Sequence, residues 1–103
     1  MDEALKIMGQ IGMKNMGILF DTFHANIEEI SMGESIQKAN GRLFHVHIAD
    51  SNRWAPGYGH RDFKEISRAF SKIKHQGFGS LEALPKPCLE NCLQESAEYI
   101  KKL

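Results

Sequence analysis

The sequence is short of cysteine, proline and tryptophan, and it has no excess of charge of either sign. Its two cysteines, Cys88 and Cys92, lie four apart. That is the spacing of one helical face, not of a zinc-type CxxC pair, and two thiols cannot build a disulfide-stapled framework. A reducing compartment is the simplest setting, with both thiols packing as small apolar groups. Thirteen Lys and Arg offset thirteen Asp and Glu, which leaves no long-range field to gather nucleic acid or an anionic membrane. No apolar run approaches the roughly 18 residues of a membrane span, and no basic-flanked leader with a small-residue cleavage site opens the chain. The expectation is a soluble, cytoplasmic protein that engages a small molecule, with no nucleic acid and no membrane.

What is present is a repeated architecture in a single domain, residues 1–103. At that length roughly 60 to 70% of the unfolded chain's surface can be buried, enough for a modest core. Ala4, Ile7, Met8 and Ile11 recur at helical spacing and Gly12 is placed to end that helix. Met16 to Phe20, ending at Asp21, is too short for a helix and predicts a buried strand. Ser31 with Glu34 predicts a capping box before a second helix carried by Ile36 and Ala39 and closed by Gly41. Leu43 to Ala49 predicts the next strand. Asp62 with Glu65 repeats the capping signature before Phe63, Ile66, Ala69, Phe70 and Ile73, with Gly77 beyond. Ser80 to Leu84 predicts a third strand, and after Pro85 and Pro87 the residues from Leu89 to Leu103 predict a last helix. Helix, then strand and helix three times, at about 30 residues per unit, is the pattern of parallel strands joined by right-handed crossovers. The fold class is therefore α/β with three parallel strands, an incomplete sheet. The long connection from Asp50 to Arg61 is of a length that in compact domains is usually either functional or disordered.

Side chains alternate faces along a strand. Ile18 and Phe20, then Phe44, Val46 and Ile48, then Leu81 and Ala83 are expected to face the helices. The opposite face then carries Asp21, His47 and Glu82, one at the carboxyl end of each strand, where α/β folds build their sites. Each has an ordinary explanation by itself: a turn cap for Asp21, a satisfied core imidazole for His47, an arginine partner for Glu82. Their common face and common strand-end position favour a site. The donor types suit a divalent ion, and a carboxylate-rich set without thiolate favours manganese, magnesium or cobalt over structural zinc. His45 lies one pleat deeper and is expected to support the site without ligating. His60 is expected to hydrogen-bond within its loop, His75 to lie on a solvated face, and Met8, Met13, Met16 and Met32 to fill core gaps. Trp54 and Tyr58 are candidates either to wall a sugar pocket or only to cover the barrel mouth.

The strings FDTFHANIEE, HVHIADSNRWAPGYGHRDF and LEALPKP resemble the last three strand and loop segments of the sugar isomerase/epimerase superfamily with a xylose isomerase-like barrel, most closely its ketose 3-epimerase branch. The resemblance runs from about Gly12 onward, and the combination DTFHxNIEE with HxHxxxxNRxxPGxGH is specific where a bare HxH is weak. It implies a partial (β/α)8 TIM barrel, with this chain supplying about three βα units as a C-terminal part-barrel. It implies one divalent metal, Mn²⁺ foremost with Mg²⁺ or Co²⁺ as alternatives, held by two glutamates, an aspartate and a histidine. Asp21 matches the metal aspartate, His47 the metal histidine, and Glu82 the second glutamate, which is ligand and catalytic acid/base at once. His24 and Arg53 match residues that hold substrate oxygens. Barrels of this kind run to about 250 residues, so the first five strands, and with them the other glutamate, are expected to come from an N-terminal barrel segment or from self-association. The implied activity is sugar epimerisation through an enediolate; the sequence does not say which sugar, and the lack of an evident phosphate-cradling glycine loop only favours a free ketose or keto-glycoside over a sugar phosphate. Two other classes stand beside it: a noncatalytic part-barrel that binds or assembles, and an endonuclease IV-like phosphodiesterase. The neutral charge and lone HxH weigh against the second.

Overall fold

Three short parallel strands, neighbours in the sheet in their chain order, carry the architecture. The structure is a computed structural model and describes all residues from Met1 to Leu103. Helix α1 (Asp2–Ile11) leads to β1 (Ile18–Asp21), α2 (Thr22–Glu28), α3 (Met32–Lys38), β2 (Leu43–Ile48), α4 (Phe63–Lys72), β3 (Gly79–Leu81) and α5 (Leu89–Lys101). No helix is long and apolar enough to cross a membrane.

Local chemistry sets the boundaries. Gly12 ends α1 in the left-handed conformation, φ 70°, with its N–H on the Met8 carbonyl, the C-terminal stop that glycine makes without a Cβ penalty. The Ser31 hydroxyl accepts from Glu34 N at the start of α3. The Asp62 carboxylate accepts from Lys64 N and Glu65 N at the start of α4, each cap contributing about 1 kcal/mol. Helix α4 stops earlier than Gly77: Ile73 is its cap and Lys74 takes the left-handed turn at φ 53°. Helix α2 was not visible in the sequence. Its seven residues show no apolar period, and its cap is Asp21, the same residue that reads as the end of β1.

The core lies between the helices and one face of the sheet, built from Met8, Ile18, Phe20, Ala25, Met32, Ile36, Ala39, Leu43, Val46, Phe63, Ile66 and Ala69. Each large apolar side chain buried there contributes about 1.5–3 kcal/mol. Strand β2 corrects the expected alternation. Ile18 pairs with Leu43 but Leu19 pairs with His45, so Phe44 has no partner and the strand bulges at that point. Leu43 takes the core position in its place, 8% exposed, while Phe44 is 52% exposed and its ring lies where a side chain on Gly17 would stand. Beyond the bulge the phase is as expected, with Val46 on the core face and His45 and His47 opposite. Strand β3 is shorter than its apolar run, because after Leu81 only Glu82 N still bonds across to the Ile48 carbonyl.

Three smaller expectations are corrected. Met8 and Met32 are buried, but Met13 and Met16 are exposed, since they sit in the connection after α1 and not on a packed face. Cys92 is buried and Cys88, the residue before α5, is exposed. His75 is not on a solvated face: its ring packs 5.7 Å from the Phe70 ring, and Nε2 is enclosed without a partner. The non-helix face of the sheet stays open, with Leu19 51% and Phe78 84% exposed, and β1 and β3 each pair on one side only. This is a partial barrel, a sheet that has not closed on itself.

Candidate metal centre at the strand tips

Parallel pairing in register places Asp21 opposite His47 and His47 opposite Ser80, which brings the ends of the three strands level. Thr22, the residue after Asp21, is wholly buried. Its hydroxyl donates to the Ala49 carbonyl at 2.7 Å and accepts from Ala49 N at 2.9 Å. This side chain continues the β1–β2 ladder one step beyond the backbone, and two such bonds fix the spacing of the two strand tips for about 1 kcal/mol each.

The three strand-end groups meet. One ligand atom from each of Asp21, His47 and Glu82 lies within 4.8 Å of the others. His47 Nδ1 stands 3.8 Å from Asp21 Oδ2 and in direct contact with Glu82 Oε2. Asp21 also serves the ordinary role foreseen for it, since Oδ1 accepts from Phe23 N and His24 N at 2.8 and 3.0 Å and caps α2. The capping and the site readings therefore coexist on one side chain, with Oδ1 given to the helix and Oδ2 to the cluster. An imidazole nitrogen and carboxylate oxygens aimed at one point fit a divalent cation of the harder kind, and all three side chains are only partly buried, so an ion has a path in. Three protein donors leave coordination positions for other ligands.

Arg53 joins the cluster from the long loop. Its Nη2 donates to Glu82 Oε1 at 3.2 Å, and its guanidinium stacks 5.3 Å from the centroid of the Phe23 ring. The pair is more than a third exposed on both sides, so its value is orientation, with at most about 1 kcal/mol of stability. The Arg53 backbone is left-handed, φ 62°, unusual for a residue with a Cβ and a common mark of functional loops. His24 lines the same open cleft of about 740 Å³ as Asp21, His47 and Glu82. Its ring packs on Phe23 at 5.2 Å and is exposed, reaching toward the cleft without touching the cluster. His45 bonds Ser80 Oγ at 2.9 Å through Nε2 and packs edge-on to His47 at 5.3 Å, a supporting position. His60 Nδ1 pairs with Ser51 Oγ at 2.9 Å, inside the loop. Trp54 and Tyr58 pack on each other, 5.7 Å between rings, and line no part of this cleft.

Sequence reasoning passed over Thr22, Phe23 and Asp50. Thr22 and Phe23 stand beside a candidate ligand in the string DTF, where a threonine directly after a strand-end carboxylate is a signal for a side-chain bridge. Asp50 reads as a common turn aspartate and only the fold shows it to be fully enclosed.

Comparison with known proteins identifies the family and the fold. Residues 1–103 match the family described as xylose isomerase-like TIM barrel. The D-psicose 3-epimerase of Enterocloster bolteae is 41% identical over 79% of this chain and 27% of its own length. The crystal structure of the D-allulose 3-epimerase from Methylomonas sp. in complex with D-allulose superimposes with a TM-score of 0.84 at 30% identity, over 97% of this chain and 41% of that one. The 3-keto-D-glucoside 4-epimerase of Escherichia coli superimposes with a TM-score of 0.92 at 25% identity, over 99% of this chain and 39% of that one. The chain thus spans between about a quarter and two fifths of the length of these relatives. With a three-stranded parallel sheet, donor side chains at its strand ends and a family match over every residue, the chain belongs to the xylose isomerase-like TIM-barrel family.

Proposed function

We propose that this chain forms the C-terminal wall of the active site of a metal-dependent ketose 3-epimerase, with Asp21, His47 and Glu82 holding one divalent ion, Mn²⁺ foremost. The observation that carries the reading is the convergence of three ligand atoms within 4.8 Å at the tips of three parallel strands. It is supported by relatives whose names specify 3-epimerases of psicose and ribulose and by a structural relative described in complex with D-allulose.

A divalent ion in that position supplies electrostatic stabilisation to negative charge that develops on a neighbouring oxygen. The chain's own residues do the rest. Glu82 is the acid/base: its carboxylate lies at the cleft, and a carboxylate within reach of a carbon next to a carbonyl takes its proton and returns it. Arg53 supplies a rigid fork of donors beside Glu82 to orient substrate hydroxyls, held flat by Phe23. His24, exposed on the first turn of α2, offers a ring nitrogen to a substrate oxygen. Inversion at a carbon needs a proton donor on the face opposite the base, so a second carboxylate has to come from outside these three strands, from an N-terminal barrel segment or a second copy of the chain.

The test is a ketose 3-epimerase assay with Mn²⁺ on this chain, alone and mixed with the N-terminal five-strand segment of a 3-epimerase relative. Turnover in the mixture that disappears with Glu82→Gln supports the reading. Metal bound without turnover in either sample makes the chain a binding module, and specific retention of abasic-site DNA at low salt makes it a phosphodiesterase part.

A further inference from the structure

Asp50 is the one carboxylate among the fully enclosed side chains, with 0% of its surface exposed. A carboxylate in that position is tolerated only if donors surround it, and here they come from the whole length of the loop. Oδ1 accepts from Ser51 N at 2.7 Å and Arg61 N at 3.2 Å, and Oδ2 accepts from Gly57 N at 2.8 Å. The chain at Gly59 approaches so closely that a Cβ there would overlap Oδ1. The first, middle and last residues of the connection are thus gathered on one side chain. The backbone of Asp50 closes the turn that carries Arg53: its N–H donates to the Trp54 carbonyl and its carbonyl accepts from Arg53 N, both at 2.9 Å. The Arg53 carbonyl in turn accepts from Leu84 N at 2.7 Å, two residues past Glu82.

Two other roles for Asp50 are closed by the same geometry. Both oxygens are held by backbone N–H groups, and with no exposed surface the carboxylate is out of reach of an ion or a substrate atom. We propose that Asp50 is a positioning residue, whose buried carboxylate folds the loop so that Arg53 stands in its left-handed conformation with the guanidinium at Glu82, and that it acts on the strand-tip site only through Arg53. The importance of Arg53 to catalysis rests on the epimerase reading, whereas the ordering of the loop by Asp50 does not. Burial alone would raise the Asp50 pKa, but the N–H groups of Ser51, Gly59, Gly57 and Arg61 more than offset it and hold the carboxyl below its ordinary value.

The loop contains the protein's single tryptophan, Trp54, which makes the test direct. In the wild-type chain the amides of Ser51, Gly57 and Arg61 should exchange slowly with solvent although they lie in a loop. In Asp50→Asn an amide NH₂ must face at least one of those N–H groups. Exchange at the three positions should then rise about tenfold or more relative to Val46 and Ile48. Trp54 emission should move to longer wavelength, and the Arg53 Nε–H resonance should collapse to the position of free arginine. Gly59→Ala, which pushes on Oδ1 without removing it, should reproduce all three effects and serves if Asp50→Asn does not fold. Removing a cation next to Glu82 should tighten Mn²⁺ binding by about three- to tenfold in Arg53→Ala. Asp50→Asn should do the same, and the double variant should gain no more than either alone. Rapid wild-type exchange at the three amides, an unmoved Arg53 resonance in both loop variants, or multiplied effects in the double variant would overturn the proposal. Failure of every sample to bind Mn²⁺ would instead count against the metal reading, with exchange and the Arg53 resonance still deciding the role of Asp50.

Discussion

Asp21 Oδ2 stands 3.8 Å from His47 Nδ1 while the other oxygen of the same carboxylate caps α2. The division lets a substitution separate two roles that the wild-type residue combines. Asn is as good an N-cap as Asp, but it has one oxygen only. Asp21→Asn should therefore keep α2, with a stability change within about 0.5 kcal/mol, and lose Mn²⁺ affinity by about 10- to 100-fold. Urea unfolding and a metal titration on the same sample check both halves. A variant that loses the helix and keeps the metal would mean that Asp21 is a cap alone.

The hydroxyl of Thr22 carries the spacing of the β1 and β2 tips. Thr22→Val has nearly the same shape and leaves the N–H and carbonyl of Ala49 without these partners in a buried setting. It should cost about 2–3 kcal/mol by urea denaturation, whereas Thr22→Ser, which keeps the hydroxyl, should cost under about 1.5 kcal/mol. Equal losses in the two variants would mean that packing and not hydrogen bonding fixes the tips.

Stability should depend on acid through Asp50. Its folded pKa lies below the ordinary value of 3.8, so its contribution is complete above that value and is lost as pH falls through the folded one. Asp2 and Glu29 are lowered as well, and all three weaken the wild type in acid. The diagnostic quantity is therefore the difference in urea midpoint between wild type and Asp50→Asn. It should be constant from pH 7 to about pH 5 and narrow below pH 4, because a protonated Asp50 resembles the amide that replaces it. A difference that is flat to pH 2 would contradict the assignment.

The open face of the sheet should make the chain associate. Leu19 and Phe78 are exposed on it and two strand edges are unpaired, the features that promote edge-to-edge pairing. Sedimentation at tens of micromolar and above should show a dimer or larger species, and Leu19→Lys with Phe78→Lys should shift it toward monomer. A concentration-independent monomer in the wild type would contradict this.

Much of the arrangement could be read from residue order alone, because parallel crossover units leave strand ends on one rim and strand parity says which face each residue takes. Asp21, His47 and Glu82 were legible for that reason. The bulge at Phe44 was not: nothing in LFHVHI marks an extra residue, and the sign of it lies across the sheet at Gly17, which leaves room for the displaced ring. Helix α2 was hidden because its cap doubles as the last residue of a strand. Asp50 was hidden because an aspartate after a strand is ordinary turn chemistry, and only the folded loop brings the N–H groups of Ser51, Gly57 and Arg61 to it. The exposure of Met13 and Met16 followed from their place in a connection, which composition does not encode.

The central claim is that the strand tips of this chain form one ion site. Electron paramagnetic resonance of Mn²⁺ titrated into the wild-type chain, followed by the same titration with His47→Ala and Glu82→Gln, tests it most directly. One ion should bind per chain, with affinity weakened about 10-fold or more by either substitution. No binding by the wild type up to millimolar metal, or binding that both variants retain undiminished, would contradict it.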